Sequence, residues 1–446
     1  MTTSAQEIRR VFDLQRAYQY TAKNSTAAQR KEKLLKFKAA IEANIDAVCE
    51  AMYADLRRPR QMAIYGELQG VFGSIDEAIA HLDQWMSPVD IEPIGDLAGG
   101  KSQIRYEARG QVLILGPWNF PIGLVLSPIV PAIAAGNVVI AKPNEMSAKS
   151  SAVTAKILRE AFDERDVAVF EGGIDVANDM LALPFNHIFF TGSPAVGRVV
   201  MAAAAKHLAS VTLELGGKNP VVIDKDTDLV AAAGKIAAIR TMNSGQLCLC
   251  PDNVWVHRSV RDQFVGVVRA VFQKMYYVDG KLNGDALGKI VDERNFARVT
   301  GYIDDARERG AKVAFGGGND PAQRLVEPTV LTDVPVDAKV MQDEIFGPIL
   351  PVNAFDQIDE VLDYLHARGK PLAAYIYSKD EKLIERFIGE TSSGGVTVND
   401  ILSHATDSSG LPFGGVNDSG IGAYHGIYGF RELSHARAVY TAPVAK

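Results

Sequence analysis

Cysteine is scarce. Only Cys49, Cys248 and Cys250 occur among the 446 residues, too few for a disulfide framework and suited to a reducing compartment. Cys248 and Cys250 lack a second Cys or His pair at ligand spacing, so no metal is expected. There is no long basic run and the formal net charge is −7, which argues against a nucleic-acid or anionic-membrane partner. One stretch, residues 122–141, is membrane-like in its hydrophobicity, but Pro128 and Pro131 lie inside it and Gly136-Asn137 breaks it. A buried helix followed by a buried strand is the better reading. Residues 1–10 are polar and charged, unlike a secretory signal.

What the chain does have is alternation. Residues 7–56 read as helices, with Leu34, Leu35, Phe37, Ile41, Ile45, Val48 and Met52 on a helical stripe and Cys49 packed beside it. Ser74 is expected to cap another helix ending near Met86. Residues 93–106, with Gly95, Gly99 and Gly100, read as loop and edge strand. Short β-rich runs follow at 112–115, 138–141, 167–170, 188–191, 211–213 and 221–223, separated by helical sequence. Such apolar strands between helices imply a parallel sheet covered on both faces, a doubly wound α/β architecture. After Gly217 the pattern restarts, with helices expected at 228–242, 259–275, 356–367 and 380–388, the second turning Phe264, Val268, Val271 and Phe272 inward. The length exceeds one ordinary domain. Two α/β lobes are expected, with Glu214 near their junction.

The chemistry concentrates in Asn243-Ser244-Gly245-Gln246-Leu247-Cys248-Leu249-Cys250-Pro251, a glycine-containing turn after a helical pattern. A lone cysteine is more often a small buried apolar residue than a nucleophile. Three further segments change that reading: Pro117-Trp118-Asn119-Phe120-Pro121, Leu213-Glu214-Leu215-Gly216-Gly217-Lys218-Asn219-Pro220 and Glu344-Ile345-Phe346-Gly347-Pro348. In this order the four resemble the aldehyde dehydrogenase superfamily, over roughly residues 111–426. The compact length, and the ending from Leu411-Pro412-Phe413-Gly414-Gly415 to Tyr424-His425-Gly426, look most like its class 3 branch.

The resemblance implies an atypical Rossmann cofactor domain (1–91 and 108–215), a catalytic domain (216–415) and a small β oligomerisation segment (92–107 and 426–446). It implies Cys248 as nucleophile, with Gly245 allowing close backbone approach and the Cys248 N–H as an oxyanion donor. Cys250 stands where relatives usually have a small residue; in an extended turn it would point away and pack. Asn119 offers a side-chain amide to the same oxyanion, and Glu214 matches the base that hydrolyses the thioester. Lys218 is read as a structural ion pair or a catalytic group.

No Gly-x-Gly-x-x-Gly follows an early strand. Instead, Phe190-Thr191-Gly192-Ser193-Pro194-Ala195-Val196-Gly197 leads from a strand into a helix, whose free N–H groups suit a pyrophosphate. Relatives usually have Thr at position 194, so Ser193 should matter more, with Gly192 and Gly197 beside it. Lys142 and Glu145 match adenosine-ribose contacts, with Asn144 replacing a common Ser. Glu344 matches the nicotinamide-ribose contact, with Phe346 its neighbouring ring. Pro117, Trp118 and Leu215 should line the same cleft. NAD is the expected cofactor, with NADP also accommodated.

Phe120, Met242, Ile401, His404, Tyr424 and His425 are the substrate-funnel candidates, and their largely apolar character favours an aromatic or aliphatic aldehyde. Asn417-Asp418 stands where relatives more often have Gly-Asn. Unlike membrane-anchored class 3 relatives, the chain ends Ala442-Pro443-Val444-Ala445-Lys446, so a cytoplasmic protein is expected. Residues 93–106 resemble the family's protruding β segment and, with the strand-like Ala436-Arg437-Ala438-Val439-Tyr440, imply a homodimer. The competing readings are a coenzyme A-acylating relative, which would usually lack Glu214; a silent binding protein, which should have lost Cys248, Glu214 or Asn119; and a Cys–His hydrolase.

Overall fold

In the computed structural model, which describes residues 4–443, the N-terminal amphipathic sequence forms three helices: α1 (Ala5–Lys23), α2 (Ala27–Ala43) and α3 (Ile45–Leu56). The first three residues of the polar opening and the last three of the 426–446 segment lie outside the described residues. Ser4 caps α1, and Thr26 with Gln29 forms a capping box on α2. Leu34, Phe37 and Ile41 face inward, whereas Leu35 is 53% exposed. One position along a helix turns a side chain by about 100°, which takes Leu35 off the apolar face. Ser74 is not a helix cap. It lies inside the helix Gln69–Met86, because helical backbone continues from Arg60 through a π-turn at Ile64–Leu68.

Strands β1 (Val89–Ile91) and β2 (Lys101–Ala108) pair antiparallel, and β2 also pairs with Ser434–Thr441 along its whole length. The strand expected at a sheet edge is therefore the middle one; the free edges belong to its two neighbours.

The next apolar runs build a six-stranded sheet from β3 (Gln111–Leu115), β4 (Val138–Lys142), β5 (Val167–Val169), β6 (His187–Thr191) and β7 (Ser210–Glu214). Its order is Gly420–Ile421, β7, β6, β3, β4, β5, parallel except at Gly420–Ile421. The run at 122–141 becomes the buried helix Gly123–Ala135, ended by left-handed Gly136, followed by β4. The chain moves outward from β3 to β4 and β5, then returns to β6 and β7 on the other side. That reversal puts a topological switch point at the C-terminal end of β3, where open α/β sheets bind ligands.

After β7 the chain crosses to β8 (Pro220–Ile223) and β9 (Asn253–His257) in a seven-stranded sheet. Its order is Lys312–Phe315, Thr329–Thr332, Ile349–Phe355, β9, β8, Ala373–Tyr377, Gly395–Val398. Only the first pair is antiparallel. The helices expected in this half occur at Leu229–Thr241, Arg261–Tyr276, Ile358–His366 and Glu381–Glu390. Phe264, Val268 and Phe272 are buried and Val271 is partly so. No helix among the described residues is long and apolar enough to cross a membrane.

Candidate active site

The helix Leu229–Thr241 stops abruptly because Asn243, Ser244 and Gly245 are all left-handed, with φ of 49°, 53° and 74°. Strained backbone of this kind costs about 1–3 kcal/mol per residue and persists only where the surroundings over-determine it. Ser244 Oγ donates to Gly288 O at 2.6 Å, Asn243 Nδ2 to Asn119 O at 3.0 Å, and Gln246 Nε2 to Asn243 O at 2.9 Å and Lys289 O at 3.1 Å. Gly245 must be glycine, since a Cβ there would collide with the Gly347 carbonyl.

Beyond Gln246 the chain turns tightly and is not extended, with Cys250 N donating to Leu247 O at 3.1 Å. The turn is fastened by Asn219, whose amide donates to Cys248 O at 2.7 Å and Cys250 O at 3.0 Å, and by Tyr375, whose hydroxyl donates to Leu249 O at 2.8 Å. Cys250 is buried against Ile239 O, while Cys248 stays partly open.

Burial, together with the nearby carboxylates Glu344 and Glu214, pushes the Cys248 thiol up to about 12. The backbone N–H groups of Cys248 itself and Leu249, which favour a negative charge on the sulfur, oppose that shift. Glu214 ends β7, is 3% exposed, and has no partner for either carboxylate oxygen among the described residues. Burial first, and Glu432 second, hold its carboxyl well above the ordinary range. Glu344 is pushed up to about 8 by burial and Asp252, against the pull of Gly217 N–H, Lys218 and Arg298.

Lys218 proves to be an ion-pair partner. It meets Asp252 and donates to Val340 O at 2.5 Å. Asp252 also receives Arg240 at 3.1 Å and Ile345 N at 3.2 Å, and Arg240 donates to Gly347 O. This buried hub ties the Gly-Gly-Lys segment, the cysteine turn and the Glu344 segment into one body.

Asn119 follows β3. Its Nδ2 donates one hydrogen to Gln246 O at 3.1 Å, which anchors the amide beside the cysteine turn and leaves the second hydrogen for another acceptor. Next to it, the Trp118 ring meets Phe346 edge-on at 5.6 Å, and Phe346 is itself left-handed at φ 48°. Phe120 lies under the Arg58 guanidinium at 4.3 Å, and Met242 is the partly buried residue just after the helix Leu229–Thr241. Ile401 and His404 are buried, His404 accepting or donating through Nδ1 to Thr397 Oγ1 at 2.6 Å. Tyr424 packs edge-on against Phe189 at 5.1 Å, and His425 stacks on Phe413 at the same separation. Asn417 is left-handed, a conformation Asn adopts readily.

The cofactor candidates gather at the switch point. In register, Leu115 of β3 lies between Lys142 of β4 and Phe190 of β6, so Pro117-Trp118, Lys142 to Glu145 and Gly192-Ser193 emerge side by side. Lys142 Nζ pairs with Glu145 at 2.9 Å. Ser193 caps the helix Pro194–Ala205, accepting from Val196 N, and Pro194 occupies the first turn, where its missing N–H costs no helical hydrogen bond. A Cβ on Gly197 would come within 2.9 Å of Leu215, which fixes the close approach of that helix to β7. Glu344 Oε1 is buried without a hydrogen-bond partner among the described residues. A helix N-terminus, a buried cation and an open carboxylate suit the phosphates and ribose hydroxyls of a dinucleotide. Arg240, Asp252, Gln246 and Tyr375 went unrecognised in the sequence, because buried charges and amides look like surface residues without the fold.

The aldehyde dehydrogenase family model matches residues 1–439. The Bacillus subtilis protein AldX is 45% identical over 436 residues, 97% of each chain. The dimeric NADP-preferring aldehyde dehydrogenase of Canis lupus familiaris is 41% identical, covering 88% of this chain and 85% of its own. The structure of Staphylococcus aureus AldH in a substrate-bound state superposes with a TM-score of 0.93 at 36% identity, covering 98% of this chain and 94% of that one. The chain therefore belongs to the aldehyde dehydrogenase family and is an NAD(P)-dependent enzyme that oxidises aldehydes.

Proposed function

We propose that the enzyme oxidises an aromatic or medium- to long-chain aliphatic aldehyde to its carboxylic acid through a thioacyl intermediate on Cys248. The observation that carries this reading is the convergence of the Cys248 turn, the Asn119 amide and the unpartnered buried Glu214 carboxyl. Cys248 gives its thiol proton to solvent, its Sγ bonds to the aldehyde carbon, and the carbonyl electron pair moves to the oxygen, giving the thiohemiacetal anion. The negative oxygen is received by the free Asn119 amide hydrogen and the Cys248 N–H; one such donor contributes about 2.7–4 kcal/mol in the transition state. When bound, the oxidised dinucleotide supplies the hydride acceptor and a positive ring charge. Glu214 then takes a proton from water, which adds to the thioester carbon; the C–S bond breaks and the acid leaves. Burial raises its proton affinity and makes it a stronger base than an exposed carboxylate.

The helix start at Ser193, Gly192 and Gly197 would receive the pyrophosphate, Lys142 and Glu145 the adenosine ribose, and Glu344 the nicotinamide ribose, with Pro117, Trp118, Leu215 and Phe346 lining the cleft. Residues 1–91 with 108–215 then form the cofactor domain, 216–415 the catalytic domain, and 92–107 with 426–446 the oligomerisation segment. Phe120, Met242, Ile401, His404, Tyr424 and His425 are assigned to the substrate funnel. The open edges of the small sheet, and the exposed Val89, Ile91 and Tyr440 on it, support a homodimer. Three free cysteines support a cytoplasmic enzyme. The test is an aldehyde panel followed as reduced nicotinamide, with and without coenzyme A. Turnover of aromatic or long aliphatic aldehydes independent of coenzyme A supports the proposal. A strict coenzyme A requirement, or a preference for small charged aldehydes, overturns it.

A further inference from the structure

Arg58 and Glu67 bury a complete ion pair in a place the reaction scheme does not use. Their side chains are 4% and 0% exposed, and Arg58 Nη1 donates to Glu67 Oε1 at 2.5 Å. A buried pair seldom stabilises a fold more than well-packed apolar groups would, so its position calls for an explanation.

Both residues hold the loop that carries Asn119. Arg58 Nη2 donates to the Asn119 carbonyl at 2.7 Å, and its guanidinium covers the Phe120 ring at 4.3 Å. Glu67 Oε2 accepts from Ile122 N at 3.1 Å and Gly123 N at 2.6 Å. The pair thus grips the loop at residue 119 and again at 122–123. Glu67 lies in the π-turn Ile64–Leu68. A Cβ on Gly66 would press on Phe120 at 3.2 Å, and one on Gly123 on the Glu67 carbonyl at 2.7 Å, so the fit is close on both sides. Asn243 Nδ2 reaches the same Asn119 carbonyl from the cysteine turn. One backbone oxygen therefore receives both Arg58 and the strained turn before Cys248.

The geometry points to Arg58 and Glu67 as positioning residues for the oxyanion donor: they set where the Asn119 amide stands relative to Cys248. This rests on the proposed role of Asn119. Neither residue touches the reacting atoms. Glu67→Gln removes the charge and one acceptor while keeping the shape. Arg58→Lys keeps the charge, but a single ammonium group cannot reproduce the fork that reaches Glu67 and Asn119 O together.

The test is a pair of double-mutant cycles against Asn119→Ala, with kcat/KM normalised to the protein fraction that binds NAD in a fluorescence titration. In the wild-type background each substitution should lower kcat/KM about tenfold through kcat, with the KM for NAD unchanged, since a small misplacement can cost up to ~10²-fold. In the Asn119→Ala background the same substitutions should change the rate less than about twofold, because the group they position is gone. Equal losses in both backgrounds, or losses absent after normalisation, would overturn the inference while leaving the role of Asn119 intact. If Asn119→Ala itself keeps full activity, the oxyanion reading falls and this inference with it.

Discussion

Glu214→Gln should separate the two halves of the reaction. The substitution keeps the side-chain volume and removes the proton acceptor. Glu214 is 3% exposed and neither carboxylate oxygen has a hydrogen-bond partner among the described residues, so no protein group competes with water for its oxygens. A positioned base contributes roughly 10²–10⁴-fold, and the closed setting puts the expected loss in deacylation in the upper part of that range. In stopped flow, the variant should release about one equivalent of reduced nicotinamide per active site and then stall. Wild-type turnover, if deacylation limits it, should climb with pH towards the raised pKa of Glu214, while the residual rate of the variant stays flat. The raised pKa also has a stability consequence. The folded state holds this proton more tightly than the unfolded chain, so stability is lost as pH rises from the unfolded carboxyl value of about 4.3 through the folded one. The Gln variant should therefore melt above wild type at pH 8 and close to it near pH 4. Simultaneous disappearance of burst and turnover would refute the assignment, because it would place Glu214 before or within acylation.

The thiol held up at about 12 makes the free enzyme slow to react with iodoacetamide near neutrality; alkylation of Cys248 should quicken close to tenfold per pH unit between pH 7 and 9. A rate independent of pH would mean the thiolate is already formed. Glu145→Gln should shift the kcat/KM ratio about tenfold towards NADP if Glu145 holds the proposed ribose contact, since a carboxylate there would repel a 2′-phosphate; an unchanged ratio would remove Glu145 from the ribose site. Light scattering in line with gel filtration should give a dimer mass at micromolar concentration, and a fully active monomer would count against the small-sheet interface.

Much of the architecture was legible because it follows from periodicity. The apolar runs from 112 to 223 are strands, and 122–141 is a helix and strand with no span between them, as the prolines and Gly136 require. The misreadings share a cause, namely local signals overridden by what lies alongside. Ser74 is a good capping residue type, but the π-turn before it carries the helix through. Leu35 is apolar yet faces water. β2 is long enough to be paired on both sides. At the site, the motifs pointed to Asn119, Glu214, Glu344 and Cys248, and the fold brings Asn119 to the cysteine turn and puts the carboxyls of Glu214 and Glu344 within electrostatic reach of the thiol. The groups that fasten these segments were not legible. Arg58, Glu67, Arg240 and Asp252 belong to residue types that are almost never buried unless paired, and only the three-dimensional packing reveals their burial and their partners.

The most direct measurement is the location of the acyl group. Enzyme mixed with NAD and a preferred aldehyde, quenched in acid during turnover and digested, should yield one modified peptide. Fragmentation should place on Cys248 the mass of the aldehyde less two hydrogens, with Cys250 unmodified, and the adduct should accumulate further in Glu214→Gln. Acylation of Cys250, or full turnover with no adduct on either cysteine, would contradict the account.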